Sequence, residues 1–459
     1  MPALERAPAR AAAGPPGWRQ RAAAGRGRHP SRPQLGLLLL AWTGLSWGIA
    51  HVNGYYSGVA LLLVGAGTAA LLVAVLEPAR AGPNRGGSAK GVDVTRVGVL
   101  AIAALLAVTP LVHLAAQQPH AGGPAYLAAL LSSGGAVVLL AVLLTVAVPP
   151  RWGLPVVAAL ALAGDLAVVV AAPDPAIDVH TVLQQSSDGL LTGADLYRQS
   201  WTGSTGLADV YPYLPATTLL LAPFRWLLGD VRLGLVAALL VTVTLLARLA
   251  RSAPRPALVL LPALVVAYPR AILVVQDSWT EPLLLALLVG CVAAVLAGHP
   301  RVAIGCLALA LASKQHVALL LPVAGLWPAF GWRRTAAAAG LGLAVVAPWL
   351  LAGPGDLWHD AVTSALAYPV LTTALDLPAL LARHGATVGF AVTGSALLGS
   401  YAVCARRLPR DETGFAAGCA LVLLTVCVTN KQSFFNHYTL VTGLLVLAAV
   451  LTGRREAVA

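Results

Sequence analysis

The run Leu154-Pro-Val-Val-Ala-Ala-Leu-Ala-Leu-Ala-Gly-Asp165-Leu-Ala-Val-Val-Val-Ala171 decides how this chain folds. It holds a single ionisable residue in eighteen positions. Coiled as a helix at ~1.5 Å per residue, it reaches about 27 Å, close to the roughly 30 Å of a hydrocarbon core. Comparable apolar runs, most of them 17 to 24 residues long, recur along the whole length. Of the 459 residues, 58% are hydrophobic and only 10% are charged, whereas soluble proteins carry about 25% charge. A soluble domain is excluded. The expected fold is all-α, a polytopic transmembrane helical bundle of about 14 spans (range 12–15). The candidate spans are 35–51, 57–76, 97–116, 125–148, 153–171, 232–248, 256–273, 279–297, 302–315, 317–331, 335–352, 386–405, 413–430 and 436–452. The short pair 302–315 and 317–331 also fits a re-entrant hairpin.

Charge orients the bundle. The net charge of +12 invites a nucleic-acid partner, but its distribution argues against one. Arg6, Arg10, Arg19, Arg21, Arg26, Arg28 and Arg32 sit in a Gly/Pro/Ala-rich leader, 1–34, that reads as a disordered basic cytoplasmic tail. No short apolar core with a small-residue cleavage site follows, as a signal peptide requires. With the N-terminus inside, cytoplasmic segments collect 23 of the 30 Lys and Arg, and outer segments collect eleven of the eighteen acids. That is the positive-inside asymmetry. The C-terminal residues 453–459 form a second cytoplasmic tail.

The run from Leu214 to Leu228 is not counted as a span, because counting it would export Arg248, Arg251, Arg255, Arg333, Arg334, Arg406 and Arg407. Pro215, Pro223, Arg225 and Gly229 suit a helix lying in the outer interface instead. Two long outer loops result, 173–231 and 352–385, and loops on a rigid scaffold are where function concentrates. The spans within 35–150 read as a separate N-terminal four-helix membrane bundle, bounded by Pro149-Pro150-Arg151. Cys291, Cys306, Cys404, Cys419 and Cys427 fall in apolar runs and read as small hydrophobes. The Ala- and Arg-rich composition suggests a high-GC bacterium, hence a multi-pass protein of the bacterial plasma membrane.

The first outer loop carries Asp178 and His180, then Gln184, then Gly193-Ala-Asp-Leu-Tyr197, and finally Tyr211-Pro-Tyr213-Leu-Pro215. Asp178 follows a span by a few residues, which puts a carboxylate at the membrane surface, where it can take a proton from an incoming hydroxyl. A plain helix cap is the alternative. Taken together, the acid just after a helix, the Gly-x-x-x-Tyr at Gly193 to Tyr197 and the Tyr-Pro-x-x-Pro at Tyr211 to Pro215 resemble the GT-C superfamily of membrane glycosyltransferases, in particular glycosyltransferase family 87. The likeness continues through Trp279-Thr-Glu281-Pro282, Ser313-Lys-Gln-His316 and Asn436-His437-Tyr438, and covers roughly residues 153 to 452.

The resemblance implies a GT-C-like catalytic core over 151–452 that uses a sugar on a polyprenyl phosphate as donor, with Asp178 as base. It implies inverting transfer of a hexose or pentose, mannose or arabinose among them, to a hydroxyl of a glycolipid, polysaccharide or protein. His180, Gln184, Tyr197, Tyr211, Tyr213, Glu281, Gln315, His316 and His437 are the sugar- or acceptor-binding candidates it points to.

A departing lipid phosphate needs cations nearby. The chain uses 27 arginines and only three lysines, and two of those lysines head Lys-Gln pairs, Lys314-Gln315 and Lys431-Gln432, at outer helix ends. Lys314, Arg270 and Lys431 are therefore the phosphate-binding candidates, although a lysine snorkelling to the interface is the ordinary reading. His316 and His437 either orient sugar and phosphate oxygens or sit passively at the interface. Glu281 and Asp277 either approach the pocket or cap a helix. Asp165 lies within a span, where an ionisable group faces a polar cavity by default. Trp201 and Trp279 stack on a sugar or join the aromatic belt. No His/Asp/Glu spacing suggests a metal, so no obligatory metal or other cofactor is expected. The competing functions are a transporter or flippase of lipid-linked sugars and a non-catalytic cell-envelope assembly protein.

Overall fold

The structure is a computed structural model that describes residues 32–51, 55–77, 93–115, 123–251 and 256–456. Residues 1–31 of the basic leader, the arginines within 78–92, Arg255 and the tail 457–459 lie outside the described residues. Those described form helices and connections, with no strand among them.

The first helices are α1 (Arg32–His51), α2 (Gly58–Leu76), α3 (Val94–Ala115) and α4 (Pro124–Thr145). Helix α1 already includes the last residues assigned by sequence to the tail. Pro124 opens α4 where its missing N–H is not needed. Next come α5 (Gly153–Ala171), α6 (Asp178–Leu191), α7 (Ala216–Leu228) and α8 (Arg232–Ala250). The thirteen residues of α7 are too few to cross about 30 Å at ~1.5 Å each. Gly229 ends this helix in the left-handed region at φ 87°.

A 3₁₀ segment, Pro256–Val265, then leads to α9 (Ile272–Gln276), α10 (Glu281–Leu296) and α11 (Pro300–Leu311). A second 3₁₀ segment, Gln315–Leu320, precedes α12 (Leu321–Leu326) and α13 (Gly331–Ala352). The remainder comprises α14 (Pro354–Trp358), a π turn (His359–Thr363), α15 (Ser364–Ala367), α16 (Leu377–Arg383), α17 (Phe390–Arg406), α18 (Glu412–Thr429) and α19 (Phe435–Glu456).

Among the described residues, seven helices are long and apolar enough to cross a membrane: α2, α4, α5, α8, α13, α18 and α19. Every predicted span overlaps helical structure, but 256–273 is not one continuous helix. Pro262 falls within the 3₁₀ segment, and Arg270 adopts φ 62°, so the stretch turns before α9 begins. The pair 302–315 and 317–331 likewise resolves into short pieces, α11 and then 3₁₀ plus α12.

One apolar core runs through the bundle, from Leu45 in α1 through Leu140, Val157 and Leu288 to Leu444 in α19. Helix α1 packs on α2, α3 and α19, and α4 packs on α5, so the turn at Pro149-Pro150-Arg151 marks no break in that core. Helices α1 and α2 cross closely: a Cβ on Gly67 would lie 2.9 Å from Ala41 O. Such small-residue contacts let backbones approach where lipid offers no hydrophobic drive. A second, smaller apolar cluster joins α6, the segment after it, α13 and α14 through Val182, Tyr197, Tyr211, Tyr213, Val346 and Leu357. The two long loops are thus packed together at one end of the bundle.

Candidate functional site

Helix α5 stops before Pro173 and Pro175, and the chain restarts as a helix at Asp178. The Asp178 carboxylate therefore sits in the first turn of α6, where the helix dipole favours a negative charge. Its Oδ1 accepts from the Val179 amide at 2.8 Å, and the side chain is half-buried. A Cβ on Gly206 would stand 2.7 Å from Asp178 Oδ2, so a side chain there would push the carboxylate from this position. His180 is buried and pairs through Nδ1 with Ser278 Oγ at 2.9 Å. Burial, reinforced by the Arg232 guanidinium, pushes this imidazole down to about 4, which leaves it neutral at pH 7.

The motif Tyr211 to Pro215 is strapped to the segment carrying Lys314. Leu214 N donates to Ser313 O at 3.0 Å, Ala216 N to Ala312 O at 2.9 Å, and Thr217 Oγ1 to Ser313 O at 2.7 Å. Gln315 Nε2 donates to Pro212 O at 3.0 Å and to Ala361 O at 2.8 Å. Tyr197 OH donates to Tyr213 O at 3.0 Å, while Tyr211 shares a 2.6 Å bond with Thr218. The Tyr211 amide donates to Asp360 Oδ2 at 2.9 Å. Arg198 reaches Asp356 at 2.6 Å and Ala352 O at 3.3 Å. Both long loops are therefore cross-linked to the same motif.

These straps bring Lys314 over the Tyr213 ring, with Nζ 5.6 Å from its centroid. The ammonium donates to Glu281 Oε1 at 2.7 Å, and the two residues are 9% and 2% exposed. An ammonium has three donors, and this bond uses one. Glu281 Oε2 accepts no hydrogen bond from the described residues. Burial, then the Glu281 and Asp178 carboxylates, push the Tyr213 phenol far up, so its hydroxyl keeps its proton. His316 and His437 lie within electrostatic reach of both Lys314 and Glu281.

Asp178, Tyr213, Glu281, Lys314, His316 and His437 therefore gather at one end of the bundle, with Gln315 fixing the loops around them. Of the other candidates, Tyr197 and Tyr211 pack against Tyr213, and the rest stand outside this gathering. Gln184 Oε1 accepts from Val231 N at 3.3 Å, and Tyr197 and Tyr211 are buried in the loop cluster. Arg270 is buried within reach of Tyr126 of α4. Lys431 donates to the carbonyls of Leu366 and Tyr368 and lies 5.8 Å from the Phe390 ring, so it anchors the second loop.

Sequence reading did not single out Arg232, which is fully buried. It pairs with Asp230 at 2.6 Å and donates to Ala172 O at 2.7 Å, Val169 O at 3.2 Å and Gln276 O at 3.4 Å. It thus caps the carbonyl end of α5 and holds it against the start of α10's connection. Burial pushes the nearby Asp277 carboxyl up to about 7, against the pull of Arg232. Asp360 and Ser278 were also missed, since isolated loop Asp and Ser residues carry no spacing signal. Among the described residues, no group of three His, Cys, Asp or Glu side chains is placed to hold a metal ion. No family model, curated protein or solved structure matches the chain.

Proposed function

We propose that the chain is an inverting glycosyltransferase of GT-C-like architecture, with about fourteen spans, that moves a mannose-like hexose or a pentose from a polyprenyl-phosphate donor. The acceptor is a hydroxyl on a glycolipid, polysaccharide or protein, and transfer occurs at the outer face of the bacterial plasma membrane. The N- and C-termini are then cytoplasmic. One observation carries this reading: a buried ammonium with spare donors, Lys314, stands 5.6 Å from the centre of the Tyr213 ring, and the half-exposed Asp178 carboxylate lies within electrostatic reach of the same residue's phenol.

In this mechanism Asp178 takes the proton of the acceptor hydroxyl while the oxygen attacks the anomeric carbon from the face opposite the phosphate. The bond from that carbon to the phosphate oxygen breaks, and its electron pair leaves with the lipid phosphate. Lys314 supplies the positive charge that meets the developing anion. Glu281 fixes the direction of the ammonium, and His316 and His437 are available to sugar hydroxyls. No obligatory metal or other cofactor enters the scheme.

The alternative of a flippase is favoured by Asp165 within α5, whereas Asp178, Glu281, Lys314, His316 and His437 gather at one end. Full-length protein in liposomes, supplied with a radiolabelled polyprenyl-phosphate sugar, separates the two. Release of lipid phosphate with label passing to an acceptor supports transfer. Movement of intact donor between leaflets without cleavage overturns it.

A further inference from the structure

A small cavity of about 20 Å³ lies within the bundle, walled by α5, α8, α10, α19 and the turn before α9. Two carboxylates line it, Asp165 from α5 and Glu281 from α10, and they are 3% and 2% exposed. No hydrogen bond or ion pair reaches the Asp165 side chain from the described residues, and Glu281 Oε2 is likewise unpartnered. The cation nearby is Lys314, and it is committed to Glu281 Oε1 at 2.7 Å. His437, the other titratable group beside Glu281, does not line the cavity. Two carboxyls against one ammonium leave one acid without a partner, which must either hold its proton or ionise against a bound counter-ion.

The rest of the polar wall is made of hydroxyls. Thr439 Oγ1 donates its proton to Asn436 O at 2.6 Å, and Thr442 Oγ1 donates its own to Thr439 O at 3.0 Å. Both oxygens therefore turn lone pairs, not protons, to their surroundings. Tyr268 also lines the cavity, within electrostatic reach of both Asp165 and Glu281. A wall of hard oxygen acceptors with one acid free to exchange its proton for a cation suits an alkali ion, which takes oxygen ligands in a flexible shell.

We propose that this cavity binds one sodium-sized monovalent cation, held by Asp165 and Glu281 Oε2 with the hydroxyl oxygens of Thr439 and Thr442. The ion neutralises the leftover charge and ties α5, α10 and α19 together at the level of the Lys314 pair. The proposal goes beyond the transferase reading, since it needs neither donor nor acceptor.

The test uses full-length protein in detergent, with sodium chloride exchanged for choline chloride at constant ionic strength. Binding of ²²Na⁺ is counted directly, and the thermal midpoint is followed in parallel. The expected result is saturable binding of one ion per chain and a midpoint that climbs with sodium. Asp165→Asn abolishes both effects, while its midpoint in choline equals or exceeds that of the native chain. Thr442→Val, which keeps the shape of the side chain, weakens sodium binding at least several-fold. Absence of saturable ²²Na⁺ binding by the native chain overturns the site. So does unchanged binding in Asp165→Asn or, should that variant fail to fold, unchanged binding in Thr442→Val.

Discussion

Lys314 donates from Nζ to Glu281 Oε1 at 2.7 Å, joining the residue before the 3₁₀ segment Gln315–Leu320 to the first residue of α10 inside the bundle. The side chains are 11% and 2% exposed, so neither charge is hydrated well enough to stand alone. Removing one member of such a pair costs about 3–5 kcal/mol, because the other is left buried and uncompensated. Glu281→Ala and Lys314→Ala are each expected to lower stability on that scale. Glu281→Gln combined with Lys314→Met removes both charges and recovers most of the loss, yet leaves transfer activity at background. Chemical denaturation of the four proteins in detergent, set beside their turnover, checks the separation. Recovered activity in the double variant contradicts a role for these charges in catalysis.

Gln315 is the clasp between the two long loops, through Pro212 O and Ala361 O. Its loss removes two hydrogen bonds worth about 0.5–1.5 kcal/mol each, and the backbone around Tyr211 and Asp360 loosens. Gln315→Ala is expected to speed hydrogen exchange at the Tyr211 amide at least tenfold and to raise the donor KM, with little change in global stability. Unaltered exchange at that amide contradicts the clasp.

Asp376 links the second loop to the segment before α19. Its Oδ1 accepts from Ala379 N at 2.8 Å and its Oδ2 from Ser433 N at 2.9 Å. Burial pushes its carboxyl up to about 6 despite those bonds. The unfolded chain releases this proton near 4, and the folded chain holds it until about 6, so the folded state binds more protons in between. Stability therefore declines as pH rises from about 4 to about 6, by up to about 3 kcal/mol, and the contribution is flat above. Asp376→Asn is expected to flatten that part of the stability curve. Superimposable native and variant slopes over this interval contradict the assignment.

The helical bundle was legible in the sequence because bilayer thickness writes itself directly into run length, and 153–171 matches Gly153–Ala171 to the residue. The stretch 256–273 misled because hydropathy ignores backbone geometry. Pro262 and Pro269 were the available signal that this apolar run breaks. The gathering of Glu281, Lys314 and His316 with His437 brings in a residue more than a hundred positions further on, and order along the chain says nothing of such distances. Arg232 carries no pattern in the sequence, and only its carbonyl partners reveal that it staples α5 to its neighbours.

The proposed chemistry stands or falls on Asp178, whose half-exposed carboxylate is the base that the mechanism requires. The most direct measurement is the rate of sugar transfer from a radiolabelled polyprenyl-phosphate donor by Asp178→Asn in liposomes, alongside the native chain inserted to the same level. The mechanism predicts a fall of at least 10²-fold in turnover with donor binding retained, the scale of a lost general base. Turnover equal to that of the native chain would contradict it.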